Sequence, residues 1–441
     1  MYNSFLLLLT QIHKNIQNPV KLHYSYPSIL QCFRLILTLS IFWHGNLSAE
    51  PLTLIQLLNL LEAHNPFIAN ANARQDLARA ALITSKAYPN PELEIGGGSS
   101  TGLGSGALNG SNQQVFISQS LDLPFVREAR RMVAEAGIIS ADEANRHVWL
   151  TVRSQTRLAF YEILRRQAEL LISKDNEQLL TQIREKIKLK VEVGEAPRYE
   201  QVKSDAELLN ALKLRESAET QVEDAKSALH MMFGNALPHQ YEIVGELPAP
   251  LASLATMETM RAEVLDKQPV LKQFRAEVQM AEAKVKFQQN LRYPQPTLKA
   301  GAERDPGLEQ WRVNIVIPLP LWNQRQGPIG EATAELKQAE ALASQQEYLV
   351  IRELENAYNR YHIANRQVET FDAGLLKEAE SVLKVAEAAY RLGERGILDY
   401  LDAQRTYRTV RNDYLNAKFD RQAAQIILDR LRATDLESLK L

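Results

Sequence analysis

The sequence predicts a mainly α-helical chain with a small β part, built as two structural repeats, each made of long coiled-coil helices and one β-hairpin. Three observations predict it. Landmarks recur in one order about 200 residues apart, which marks two copies of one unit. Asn65-Pro66, an Ala-rich helix and Tyr88-Pro89-Asn90-Pro91 are matched by Gln268-Pro269, a similar helix and Tyr293-Pro294-Gln295-Pro296. QSLDLPF at 119–125 is matched by VIPLPLW at 316–322, and VGEAPRYEQVKSD at 193–205 by LGERGILDYLDAQ at 392–404. Apolar residues then follow the alternating three-and-four spacing of a helical seam, as at Leu180, Ile183 and Ile187, and at Leu376, Ala379, Leu383, Ala386 and Tyr390. Finally, each Tyr-Pro-x-Pro leads into residues that alternate apolar and polar, the period of a strand.

In chain order, the first 49 residues read as a leader. The apolar run FRLILTLSIFW at 33–43 follows Lys21, contains Arg34 and precedes Leu-Ser-Ala before Glu50. It is shorter than the roughly twenty residues a membrane-spanning helix needs. The stretch before Pro27 exceeds an ordinary n-region, which points to an overcalled start codon. Cys32, the sole cysteine, precedes the apolar run, so the mature chain has neither a disulfide framework nor a thiolate metal site. The repeats are expected at 50–233, with a hairpin at about 91–123, and at 261–432, with a hairpin at about 296–321. A linker at 234–260 joins them and a tail at 433–441 follows.

With 51 basic against 53 acidic side chains, nothing points to a nucleic-acid partner. No proline interrupts the helical pattern from about 125 to 193 or from about 329 to 392, so each helix would be on the order of 100 Å long. An antiparallel bundle and a helical barrel both suit these seams. Paired prolines stop each preceding helix and straighten the chain. Beyond them Leu93 and Ile95 oppose Glu92 and Glu94, and Leu298, Ala300 and Ala302 oppose Thr297, Lys299 and Glu303. Trp311, Val313, Ile315 and Ile317 share a face opposite Arg312, Asn314 and Val316. A transmembrane strand between lipid and a wet lumen has this pattern, as does a half-buried hairpin of a soluble protein. Tyr88, Phe125, Tyr293, Trp311 and Trp322 would supply aromatic rings at a membrane interface, or ordinary packing at the helix-to-strand junctions. Four strands per chain cannot close a barrel in lipid, whereas three chains would supply about twelve.

These residues resemble the TolC-like outer-membrane efflux proteins over most of the chain after the leader. The resemblance rests on NPFIANANARQDLARAALITSKAYPNPELEIGGG, FISQSLDLPF, IPLPLWNQRQGPIGEATAEL and YRLGERGILDYLDAQRTY. It implies a homotrimer with a twelve-stranded outer-membrane β-barrel continued by a periplasmic α-helical barrel. Such a protein is the exit duct of a tripartite exporter, partnered by a periplasmic adaptor and an inner-membrane pump. AYPNPELEIG is most similar to the branch serving heavy-metal pumps of the resistance-nodulation-division class. The resemblance also implies a periplasmic gate. Arg395, Asp399 and Asp402 match the family's Arg and two Asp, while Tyr390 and Glu200 match the Tyr and the acid that close the entrance. Glu stands at 200 where the family pattern carries Asp. Gly194, Pro197, Gly393 and Gly396 fall in the turns at the helix tips. On spacing alone, Arg395, Asp399 and Asp402 share one helix face, which suits a solvated salt bridge as well as a gate.

His64, His147, His230 and His362 lack ligand-spaced neighbours, and Met231-Met232 beside His230 reads as helix-end packing, so no metal site or cofactor is expected. GGGSSTGLGSG at 96–106 sits at a hairpin tip and not between a strand and a helix, which excludes a phosphate loop. No nucleophile elbow or carboxylate pair points to an enzyme. Two classes remain: an outer-membrane duct for metals, drugs or proteins, and a soluble periplasmic coiled-coil scaffold.

Overall fold

The computed structural model describes residues 51–104, 108–238, 240–248 and 254–435. The expected leader with Cys32, part of the glycine-rich hairpin tip, part of the linker and the last residues of the tail lie outside the described residues. The order is α1 (Leu54–His64), α2 (Pro66–Lys86), β1 (Glu92–Ser100), β2 (Gly110–Ser120), α3 (Pro124–Glu192) and α4 (Arg198–Phe233), then α5 (Met257–Lys267) and α6 (Pro269–Asn290). β3 (Thr297–Asp305), β4 (Leu308–Val316), α7 (Gln326–Thr370), α8 (Leu376–Arg391) and α9 (Ile397–Arg432) complete it.

Local chemistry sets the boundaries. Thr53 and Gln56 form a reciprocal capping box on α1. The Asn65 side chain caps α2 by accepting from the amides of Phe67 (2.9 Å) and Ile68 (3.1 Å), and Pro66 occupies the first helical position, where its missing N–H costs nothing. Asn65 also donates to the Met232 carbonyl at 2.8 Å, tying the start of α2 to the end of α4. After Lys86 and Asn290 the helices end, Tyr-Pro-x-Pro follows, and β1 and β3 begin directly after the second proline.

The four strands form one antiparallel sheet in the order β1-β2-β3-β4, so β1 and β4 are edges. The register places Leu93 beside Ile117, Ile95 beside Val115, and Ile117, Ala300 and Val313 in one row. Leu298, Ile315, Ala302 and Trp311 extend this apolar face. The opposite face carries Glu92, Glu94, Gln114, Lys299, Glu303, Arg312 and Asn314, together with Phe116. Ile317 lies past the end of β4, so it is not a strand residue as the alternation predicts.

Helices α2, α3, α6 and α7 form a row in which each touches the next. Small residues of α3, among them Ala134, Gly137 and Ala141, floor a groove between α2 and α6 and let the three approach closely. One core joins α1 to α3 and α4 through Leu57, Leu61, Leu150, Ile163, Leu229 and Phe233. A second joins α5, α6, α7 and α9 through Met260, Val264, Leu271, Leu354 and Leu428. A third, toward the far ends, holds Leu180, Ile183, Ile187, Ala211, Ile397, Tyr400 and Leu401.

The copies differ in one respect that the sequence reading missed. α3 is a single helix of 69 residues, whereas its counterpart is interrupted by a π-helical turn at Phe371–Leu375, where Gly374 has φ 144°. The second uninterrupted helix expected from about 329 to 392 is therefore two helices, α7 and α8.

Phe116 lies over Gly301 and is 5% exposed. A Cβ on Gly301 would stand 2.1 Å from the Val115 carbonyl oxygen and 2.8 Å from the Phe116 Cα, so backbone must shift. Gly301→Ala is expected to destabilise the folded protein by about 1–3 kcal/mol, read as a lower melting temperature in detergent. A melt within a degree of the parent would show that the β2–β3 pairing is not held by this close approach.

Candidate functional site

Two regions carry the chemistry: the two-faced sheet and the paired helix tips. On the sheet, Ile95 and Val313 are 73% and 74% exposed, so the apolar face is uncovered in the single chain. The polar face is cross-linked, with Lys299 donating to Glu94 at 2.5 Å and capping the Phe116 ring at 4.5 Å. Arg312 pairs with Glu303 at 3.1 Å. Each strand has 9 to 11 residues, the length a tilted strand needs to cross a hydrocarbon layer.

Three of the five singled-out aromatics sit where helices meet the sheet. Phe125 and Tyr293 pack edge to face with centroids 5.3 Å apart, and the Arg127 guanidinium lies 4.3 Å over the Tyr88 ring. Trp322 lies beyond β4 on the same helix-proximal side and is 90% exposed, while Trp311 is set toward the β3–β4 turn. Sequence reasoning overlooked Arg130 at this joint. Its guanidinium donates to the Ser85 carbonyl, the Ala87 carbonyl and Asp122 (2.6 Å), which clamps the end of α2 to the exit of β2. An arginine in a helical stretch gives no signal of this until the partners meet in space.

The two helix tips share one turn. The Gly194 amide donates to Val191 and the Glu195 amide to Lys190; the Gly393 amide donates to Tyr390 and the Glu394 amide to Ala389. This is the Schellman pattern, and φ of 80° at Gly194 and 75° at Gly393 explains the glycines. Pro197 and Gly396 then stand at matching positions as the N-caps of α4 and α9.

Around this turn the five gate candidates are only partly assembled. Arg395 lies in the turn, before the N-cap of α9, and not on the helix face that its spacing suggests. It reaches Asp399 at 3.7 Å, with both side chains largely exposed. Asp402 is exposed on the following turn of α9. Asp399 and Glu200 occupy the first turns of α9 and α4, where the helix dipole favours a negative charge. Tyr390 stacks on Tyr400 with centroids 6.0 Å apart, and the Lys190 ammonium lies 4.8 Å from the centroid of the Tyr390 ring. Among the described residues the buried Tyr390 hydroxyl has no hydrogen-bond partner, and burial, with a further push from Glu200, raises its pKa. Burial, aided by Glu387, pushes the Tyr400 phenol up to about 12. Within one chain, then, Tyr390 and Glu200 are neighbours, and Arg395 bonds to neither.

Among the described residues no three His, Cys, Asp or Glu side chains gather so as to hold a metal ion. Among them, too, no helix is long and apolar enough to cross a membrane.

The chain matches the model of the outer membrane efflux protein family at residues 57–235 and 261–434. It is 27% identical over 392 residues to the cobalt-zinc-cadmium resistance protein CzcC of Cupriavidus metallidurans, covering 87% of this chain and 90% of that protein. Its fold matches a membrane protein from Pseudomonas aeruginosa at a TM-score of 0.75, with 19% identity over 86% of this chain and 90% of the other. CusC matches at 0.73, with 18% identity over 87% and 92%, and the outer membrane protein VceC of Vibrio cholerae at 0.71, with 16% identity over 86% and 95%. A two-faced sheet set on long paired helices, in a chain matched by the family model in both of its copies, identifies a non-enzymatic outer-membrane channel, and the protein belongs to the outer membrane efflux protein family.

Proposed function

We propose that the protein is the outer-membrane exit duct of a tripartite system that exports heavy-metal cations. The observation that carries the duct is the pair of open edges. The sheet ends in β1 and β4, each paired on one side only, and α2 and the part of α7 before its contact with α9 leave Leu77, Ile83 and Tyr348 largely exposed. The sheet edges need a neighbouring strand on each side. Three copies joined edge to edge would close about twelve strands around a polar lumen, with the apolar face in lipid. A homotrimer satisfies every backbone group at the edges. Trp311 on one side and Tyr88, Phe125, Tyr293 and Trp322 on the other would then stand at the two membrane interfaces.

The metal assignment rests on the likeness to a cobalt-zinc-cadmium resistance protein. A periplasmic adaptor and a resistance-nodulation-division pump in the inner membrane would supply the cargo and the energy. At the periplasmic tip, trimer symmetry gathers three copies of Asp399 and Asp402 around one axis, a ring that favours cations. Arg395, Tyr390 and Glu200 hold that tip shut by pairing between neighbouring subunits. The exposed Arg395 and Asp399 side chains leave room for such pairs.

Growth of a deletion strain on graded zinc, cobalt, nickel, cadmium and copper, beside hydrophobic drugs, tests the assignment. Sensitivity to one or a few metals, restored by the intact gene, is expected; drug sensitivity alone would remove the metal reading. Replacing Arg395 or Tyr390 by Ala is expected to raise single-channel conductance severalfold in planar bilayers, and unchanged conductance in both would remove the gate. Val313→Arg on the apolar face is expected to cost about 2–4 kcal/mol at mid-membrane and abolish assembly, while Asn314→Arg on the polar face is tolerated. Equal tolerance would reverse the assignment of faces.

The tip also titrates. A phenol pKa raised by folding means that stability is complete below the ordinary value of 10.0 and declines as pH rises toward about 12. The phenolate absorbance lost on Tyr400→Phe should therefore have its midpoint near 12, and a midpoint at 10 would show that Tyr400 is solvated in the assembled protein.

A further inference from the structure

We propose that the groove between α2 and α6, floored by α3, binds an amphiphilic anion with one apolar chain, and that Arg74 holds its carboxylate head. The groove has a volume of about 910 Å³, and all of its lining comes from one chain, so it exists before any second subunit docks. Its floor is low because Ala134, Gly137 and Ala141 carry almost no side chain, while Leu77, Met280 and Phe287 line its walls. A Cβ on Gly137 would already stand 3.7 Å from the Met280 sulfur. A trough of this kind, apolar along its length with a few polar groups at the rim, is the form that ligand sites take.

The rim charges select the sign of the ligand. Arg130 is engaged in the clamp on Asp122, and Lys284 pairs with Glu335. Glu277 accepts from Ser140 at 3.3 Å and from Gln273 at 2.9 Å. Among the described residues, Arg74 is the one charged side chain of the groove that makes no hydrogen bond or ion pair. The uncommitted charge is therefore positive and planar, the geometry that takes a carboxylate.

Length fits the same ligand. From Arg74 to Ser85 the groove follows α2 for about 16 Å at 1.5 Å per residue. Half of a hydrocarbon layer about 30 Å thick is about 15 Å, the reach of one acyl chain. Past Arg74 the trough runs on into a recess of about 230 Å³ between Phe67 and Val148, with Asn70 and Asn145 beside it, which suits a hydrated head.

The groove opens on the side of α3 away from residues 241–248. A Cβ on Gly245 would stand 3.1 Å from Phe160 and 3.3 Å from Leu164, and Leu164 is about seven and a half turns along α3 from Gly137, hence on the opposite face. A bridge between Leu52 and Ile243 brings the start of α1 to the Leu164 side as well. Three copies of that added layer would obstruct a passage, so in a duct it lies outside and the groove faces the lumen. This placement rests on the duct proposed above; the groove and its charge do not. The wall of the duct then carries a site for an apolar acid, a cargo class unlike a metal cation.

Photolabelling of the assembled protein in lipid nanodiscs, with a dodecanoate that carries a diazirine at its chain end, tests the site. Cross-links are expected on residues 130–144 of α3 and 273–288 of α6, and labelling confined to the sheet would overturn the site. Dodecanoate is expected to compete about tenfold better than dodecylammonium, the difference one charge-assisted contact makes, and equal competition would overturn the choice of an anion. Gly137→Leu fills the floor and is expected to abolish labelling; full labelling would overturn the position of the chain. Arg74→Gln, at an exposed position that keeps the test readable if the first variant misfolds, is expected to lower labelling about tenfold. Unchanged labelling there would overturn Arg74 as the partner of the head. Dodecanoate in planar bilayers separates the site from the duct: a labelled groove with lowered conductance, restored by Arg74→Gln, supports both, while a labelled groove with unmoved conductance upholds the site and overturns its place in the lumen.

Discussion

The constraint on which the rest of the structure depends is the unpaired backbone of β1 and β4. A sheet edge in hydrocarbon leaves each N–H and C=O without a partner, at a cost of several kcal/mol per group, and four strands cannot curve far enough to meet themselves. The chain therefore folds as a sector of a larger object. The same incompleteness continues into the helices, since α2 and α7 keep large apolar side chains such as Leu77, Ile83 and Tyr348 on the surface. Between sheet and helices the register must not slip, and Arg130, Asp122 and the Phe125–Tyr293 ring pair hold it.

Duplication shaped this sector without making its halves equal. Both copies keep a proline at the first position of the helix before the hairpin, paired prolines at its exit, and one turn at the tip. In the first copy the Asn65 side chain caps α2; in the second, Gln268 stands at the same place, buried and making no side-chain cap. α3 begins at Pro124 straight after its strand, while α7 starts only after Arg325 adopts a left-handed conformation with φ 61°.

Much of this was legible in the sequence because the relevant physics is local. Proline stops a helix wherever it stands, and alternation sorts a strand's faces whatever its neighbours, so Leu93 and Ile95 and their partners could be placed by inspection. What escaped depended on position in space. Val115, Phe116 and Ile117 are an unbroken apolar run, and period two cannot say that Phe116 crosses to the polar face to cover Gly301. A glycine inside a helical pattern costs only about 1 kcal/mol, too little to forecast the break at Gly374. Counting four residues from Arg395 to Asp399 assumed a helix that begins only at Ile397. The gate candidates were thus identified by likeness and not by any pattern within one chain.

The turn shared by both tips has a consequence for how such a protein diversifies. Its shape is set by main-chain hydrogen bonds and a left-handed glycine, with no side chain of Glu195, Ala196, Glu394 or Arg395 taking part in the fold of the turn. Those positions can be rewritten freely while the loop keeps its form. The tip is a fixed mount whose surface chemistry can change by point substitution, with no rebuilding of the helices behind it.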